Sequence, residues 1–236
     1  MLFATFVSCV LIGSTLAVQF DITNKDGGEI WVGIQGNSGK AALENGGFKL
    51  GQGQTRSVQA PNDWAGRFWS RQWCDSGNGQ CVVGNCNGVE CQGRGGNPPV
   101  TLIEITLAGW GGQDFYDISL VDGYSCPATI TPIGGQGKCR ALKCLARIND
   151  QCPNDLKVNT QHGVLGCKSA CLRFNTDQYC CRGAYGTKET CKTDQWAVNS
   201  AKFFKQQCPD AYSYAYDDDT STFTCKAQKY ALTFGG

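Results

Sequence analysis

The chain has 236 residues, 21 basic against 20 acidic side chains, a formal net charge of +1 and a single histidine. So even a balance offers no field to draw in nucleic acid or an anionic membrane, and any catalytic triad or histidine–metal chemistry would rest on His162 alone. Sixteen cysteines and 31 glycines beside one methionine point to strands, tight turns and crosslinks rather than packed helices.

Residues 1–17 form an apolar run (Leu2, Phe3, Ala4, Phe6, Val7, Val10, Leu11, Ile12) that ends on the small residues Thr15, Leu16 and Ala17. This reads as a signal peptide cut before Val18, with Cys9 inside it. No later stretch approaches the roughly 20 apolar residues of a membrane span, so a secreted, soluble protein is expected. The 236 residues less this 17-residue leader leave 219, enough for one well-cored domain with embellishments or two small ones.

From Val18 onward the strand pattern is explicit. Val18, Phe20 and Ile22 alternate with Gln19, Asp21 and Thr23, the period-two signature of a half-buried strand. The turn residues 24–28 follow, then a second strand with Ile30, Val32 and Ile34 on one face. Further strands are expected over 48–50, 55–60, 66–73, 100–107 and 115–121, with Arg67, Trp69, Arg71 and Trp73 sharing a face. Strand after strand with Gly/Asn turns and no alternating helices indicates a mainly β fold, an antiparallel sandwich or flattened barrel.

Two cysteine-rich regions interrupt this pattern. Residues 73–96 are short, polar and carry Cys74, Cys81, Cys86 and Cys91, as expected of a disulfide-held loop domain. Residues 139–208 carry nine cysteines and little strand character, as expected of a second, loop-rich lobe. Within it Ala197, Ala201, Phe204 and Cys208 recur at helical spacing, Asp194 can cap the start and Pro209 stops the run. The β core then comprises 18–72, 97–138 and 209–236. The acidic run Asp217, Asp218 and Asp219 reads as a solvated turn. Four thiols between Cys74 and Cys91 could in principle hold zinc, but no Cys-x-x-Cys pair occurs and histidine is nearly absent. The cysteines are therefore read as a disulfide framework in an oxidising compartment, with no metal or cofactor expected.

Three longer strings carry a resemblance. Gly66-Arg67-Phe68-Trp69-Ser70-Arg71, the run from Asp114-Phe115-Tyr116-Asp117 to Leu120-Val121-Asp122-Gly123-Tyr124, and Phe203-Phe204-Lys205-Gln206-Gln207-Cys208-Pro209-Asp210-Ala211-Tyr212-Ser213-Tyr214 resemble the thaumatin-like proteins, the pathogenesis-related group that includes osmotin. The similarity runs from about Phe20 to Phe234, and the string from Asn62 to Trp69 resembles arthropod members. It implies a flattened antiparallel β-sandwich with a disulfide-rich lobe and a small cysteine-tied loop domain. It also implies the pairs Cys74–Cys81, Cys86–Cys91, Cys139–Cys225, Cys144–Cys208, Cys152–Cys167, Cys171–Cys180 and Cys181–Cys191, leaving Cys126 as a buried free thiol or an intermolecular link. The family's cysteine near the first strand falls about where Lys25 and Asp26 stand, and its partner where Gly235 stands. Both are absent here, so termini more prone to fray are expected. Val82-Val83-Gly84-Asn85-Cys86 departs from the family's usual Thr-Gly-Asp-Cys.

The same resemblance implies an acidic cleft built from Arg67, Glu104, Asp117, Asp122 and Asp210, with Phe115 at its edge. Read without it, each residue has an ordinary alternative. Asp122 before Gly123 suits a turn, Glu104 suits a solvated strand position, and Arg67 with Arg71 could stack on Trp69 and Trp73. The implied function is a secreted, monomeric defence protein, antifungal in character, that binds β-1,3-glucan or another cell-wall polysaccharide. Weak endo-β-1,3-glucanase activity, with Glu104 as acid and Asp117 as partner, stays open. Inhibition of a foreign glycosidase, or a structural or sensory role, is the alternative from another class.

Overall fold

A computed structural model of the chain describes residues 17–236. The expected leader and Cys9 lie outside these residues, apart from Ala17, which opens the first strand. Among the described residues there are fourteen strands: β1 Ala17–Asn24, β2 Ile30–Gly36, β3 Gly47–Leu50, β4 Thr55–Pro61, β5 Ala65–Asp75, β6 Gln80–Val83, β7 Leu102–Thr106, β8 Asp114–Ser119, β9 Ala128–Ile133, β10 Leu142–Cys144, β11 Lys157–Thr160, β12 Gly163–Cys167, β13 Phe223–Cys225 and β14 Lys229–Phe234. Five short helices accompany them: α1 Ile148–Gln151, α2 Ala170–Phe174, α3 Asp177–Cys180, α4 Ser200–Gln207 and α5 Asp218–Ser221.

Two sheets make the sandwich. One has the order β10-β9-β14-β1-β4, and the other β13-β8-β7-β5-β2-β3 with β6 added beside β5. The alternation in β1 works as its sequence suggests, since Phe20 and Ile22 are fully buried between the sheets while Gln19 and Asp21 face outward. Phe20 packs on Phe68 with ring centroids 5.0 Å apart and on Trp64 at 5.8 Å, and Tyr230 of β14 joins it at 6.0 Å. Rings of this size dominate the apolar area a core removes from water.

The first and last strands are tied by pairing rather than by a crosslink. β1 and β14 run parallel from Gln19↔Lys229 to Asn24↔Phe234, and the Lys25 amide donates to the Phe234 carbonyl at 2.8 Å. Gly235 lies so close that a Cβ there would stand 2.4 Å from the Asp26 nitrogen.

Among the described residues seven disulfides join Cys74–Cys81, Cys86–Cys91, Cys139–Cys225, Cys144–Cys208, Cys152–Cys167, Cys171–Cys180 and Cys181–Cys191. Cys126 is free and buried. Three local expectations change. The helix expected around Ala201 and Phe204 is α4, one of four short helices in the cysteine-rich lobe, and its cap is Asn199, whose side chain accepts from the Lys202 amide at 2.8 Å, rather than Asp194, which lies in a separate turn. β10 falls inside the segment read as lobe but pairs with β9, so it completes the five-stranded core sheet. Arg71 does not stack on Trp69 or Trp73. Its guanidinium is buried, lies 5.6 Å from the Trp31 ring, and donates to the carbonyls of Trp31, Val32, Gly88 and Val89.

Arg71 and its neighbours explain how the outer face of the larger sheet is divided. At one end Trp69, Val100 and Leu102 pack against Cys86 and Cys91, so the cysteine-tied loop covers that stretch. At the other end the face is left open.

Candidate acidic cleft

The open stretch is where three strands bring one row of side chains together. In the register of β5, β7 and β8, Arg67 stands directly opposite Glu104, and Glu104 directly opposite Asp117. Directly opposed residues of antiparallel strands project from the same face, with Cβ atoms about 4.5–5.5 Å apart. Residues separated by 37 and 13 positions in sequence thus become neighbours on one floor. Two residues further along, Thr106 stands opposite Phe115 and extends the same face.

A wall rises beside this floor because the edge of β8 is closed twice. β13 pairs with its first half, and beyond that the segment after α4 docks, with the Tyr212 amide donating to the Ile118 carbonyl at 2.8 Å and the Leu120 amide to the Tyr212 carbonyl at 2.9 Å. Tyr212 and Ala215 therefore line the cleft together with Arg67, Glu104, Phe115, Asp117, Ser119 and Asp122. The cleft encloses about 410 Å³, within the range of sites that hold small ligands.

The electrostatics follow from crowding carboxylates on a partly dry floor. Arg67 Nη2 lies 3.3 Å from Glu104 Oε1. Burial pushes the Glu104 carboxyl up from its ordinary range, the Arg67 charge opposes that shift, and Asp122 reinforces it. Asp117 is pushed well above the usual carboxylate range, first by burial and then by repulsion from Glu104, with Arg67 opposing and Asp218 adding to it. Its Oδ1 is buried and has no hydrogen-bond partner in the protein. An acceptor left bare in this way is poised for a donor brought by a ligand.

With this geometry established, the likeness to known proteins can be placed. The Thaumatin family model matches residues 24–236. This chain belongs to the thaumatin family. It is 49% identical over 237 residues to pathogenesis-related protein 5 of Arabidopsis thaliana, covering 99% of this chain and 96% of that one. It is 44% identical to pathogenesis-related thaumatin-like protein 3.5 of Cryptomeria japonica, covering 98% and 96%. Among solved structures, a GH family 64 laminaripentaose-producing β-1,3-glucanase from Paenibacillus barengoltzii, complexed with laminarihexaose, superposes with a TM-score of 0.61 at 14% identity, covering 94% of this chain and 76% of that one. That likeness is one of fold.

Of the thaumatin-type residues expected to share a groove, Arg67, Glu104, Asp117, Asp122 and Phe115 do so, and Asp210 does not. Asp210 instead accepts from Arg140 Nη2 at 2.6 Å, and that guanidinium lies 5.1 Å from the Phe223 ring. The acid that acts on Asp117 from the wall is Asp218, the first residue of α5, which accepts from the Tyr212 hydroxyl at 2.9 Å. The acidic run reads from sequence as a solvated turn, and Asp218 is indeed exposed, although it opens a short helix. Its neighbour Asp217 is instead held down, pairing with Lys205 Nζ at 2.7 Å and accepting from the Ser213 amide and hydroxyl. Lys205 also donates to the Ala211 carbonyl and to Ser221, so an α4 lysine folds the acidic run back against the cleft. A basic residue in α4 preceding an acidic run was the one local signal available.

Proposed function

We propose that this protein is a secreted, thaumatin-like defence protein that binds β-1,3-glucan in the cleft floored by Arg67, Glu104 and Asp117. The observation that carries the reading is the cross-strand row itself, a guanidinium and two carboxyl groups in line on an open sheet face, with Phe115 beside them. Carboxyl oxygens accept from sugar hydroxyls, Arg67 donates to ring or hydroxyl oxygens, and Phe115 offers a face to a pyranose ring. The fold-level likeness to a β-1,3-glucanase complexed with laminarihexaose supports the same ligand class. Seven disulfides fit an oxidising compartment, and no helix among the described residues is long and apolar enough to cross a membrane.

Hydrolysis is a second reading, favoured by one observation: both floor carboxyls are shifted up, so each holds its proton to higher pH than an ordinary carboxyl, as a general acid must. Against it, Glu104 and Asp117 rise from adjacent strands of one floor, whereas glycoside hydrolysis needs two carboxyl groups flanking the scissile bond. Binding is the stronger conclusion. Sedimentation with insoluble β-1,3-glucan, followed by assay of new reducing ends, separates the two. Retention in the pellet without sugar release supports binding alone, and sugar release abolished by Glu104→Gln supports hydrolysis. A protein that stays in the supernatant at every glucan concentration defeats both.

A further inference from the structure

We propose that Trp110, on the tip of the β7–β8 hairpin, is an outer stacking platform of the cleft that makes it prefer long β-1,3-glucan chains to short oligosaccharides. The inference rests on the glucan reading of the cleft and adds a residue that lies outside its lining.

Trp110 is 88% exposed, whereas Trp31, Trp64, Trp69 and Trp196 are buried. Trp73 is also exposed, but one ring face is covered by His162, stacked at 4.0 Å and 7° from parallel. Trp110 is thus a large, rigid aromatic surface that contributes nothing to a core. Such a ring costs little side-chain entropy to immobilise and presents a flat apolar face, which is what the C–H face of a pyranose packs on.

Its place in the fold puts it at the end of the cleft. The face that carries Glu104 and Asp117 continues to Thr106 and Phe115, and β7 and β8 then join through the tip at 107–113. At about 3.4 Å per residue, the start of the tip at Gln113 lies ~14 Å along the strand from Asp117. A short oligosaccharide held at Arg67, Glu104 and Asp117 ends before the tip, and a long chain running along the strands reaches it. Phe115 bridges the interval, since its ring lies against Gly109, where a Cβ would stand 2.8 Å from a ring carbon.

The tip is held rather than loose. Gly109 and Gln113 are joined by an amide–carbonyl bond of 2.7 Å, and the Gly112 amide donates to the Gly109 carbonyl at 2.9 Å. Buried Asp114 fixes the base, accepting from the Ala108 amide at 2.9 Å, from the Ala227 amide at 3.2 Å and from the Tyr230 hydroxyl at 2.6 Å. Ala108 is kept in the left-handed region at φ 47°, unusual for a residue with a Cβ. A ring presented on so constrained a turn loses little freedom when a ligand covers it.

The test compares wild type, Trp110→Ala and Trp110→Phe for binding to laminaribiose and laminarihexaose, by calorimetry and by tryptophan emission. Wild type is expected to prefer the hexaose and to show a blue shift with it. Trp110→Ala is expected to weaken hexaose binding about tenfold, as removal of an aromatic anchor does, to leave biose binding unchanged and to abolish the blue shift. Trp110→Phe should retain most of the preference. Equal hexaose affinity in wild type and Trp110→Ala overturns this inference and leaves the glucan reading standing. Failure of wild type to bind either sugar overturns both.

Discussion

Replacing Asp117 with asparagine should stabilise the protein at neutral pH while weakening its ligand binding. In the folded chain this carboxyl is buried, faces Glu104 across the strand pair and carries an oxygen without a protein partner. Its folded pKa is raised well above the ordinary 3.8, so the folded state holds the proton to higher pH than the unfolded state does. Unfolding then releases that proton, and stability falls as pH climbs from about 4 through the raised value. Asparagine keeps the shape, removes the charge and relieves the repulsion on Glu104. Each tenfold gain in proton affinity on folding corresponds to about 1.4 kcal/mol of stability lost once the group ionises, and about 1 kcal/mol moves the midpoint of a domain this size by roughly 2–4 °C. A gain of at least ~3 °C is therefore expected at pH 7 in a calorimetric or circular-dichroism melt, shrinking towards zero near pH 3, where the wild-type carboxyl is itself neutral. A melting temperature that drops at pH 7, or a gain of equal size at pH 3, would refute this account of the floor.

Two other substitutions probe what holds the cleft in place. Arg71→Lys should cost about 3 kcal/mol or more, because one ammonium cannot serve the four carbonyls of Trp31, Val32, Gly88 and Val89, and buried acceptors then go unpaired. Hydrogen exchange should accelerate over 84–92 before it does so in β1 or β14, and uniform acceleration would contradict a local role. Burial pushes the Cys126 thiol up to about 12, so Cys126 should resist alkylation at pH 8 in the native protein and become the one reactive thiol within residues 17–236 once the chain is unfolded without reductant, by mass spectrometry of its peptides. Rapid native labelling would show that the thiol is accessible.

Elements whose single face meets a core were legible in the sequence. The alternation of Phe20 and Ile22 with Asp21 and Thr23 identifies β1 because burial on one side alone writes that period. The helix boundary was less legible, since Asp194 suits a cap by residue type, whereas the folded chain starts the helix at Asn199. Arg67, Glu104 and Asp117 came from their motifs, but their alignment in one row depends on strand register, which joins positions far apart along the chain. Asp210 shows the opposite case. Its motif suggested the cleft, yet it pairs with Arg140, 70 residues away, and lies outside the cleft lining. Asp218 was marked only by a basic residue in α4 ahead of the acidic run, because its placement depends on Lys205 drawing in the neighbouring Asp217.

A crystal structure of the protein with laminarihexaose tests the central claim most directly. The account predicts an oligosaccharide lying along β7 and β8, its hydroxyls bonded to Arg67, Glu104 and Asp117 and its rings against Phe115. Sugar bound on another face, or a cleft that stays empty at saturating ligand, would contradict it.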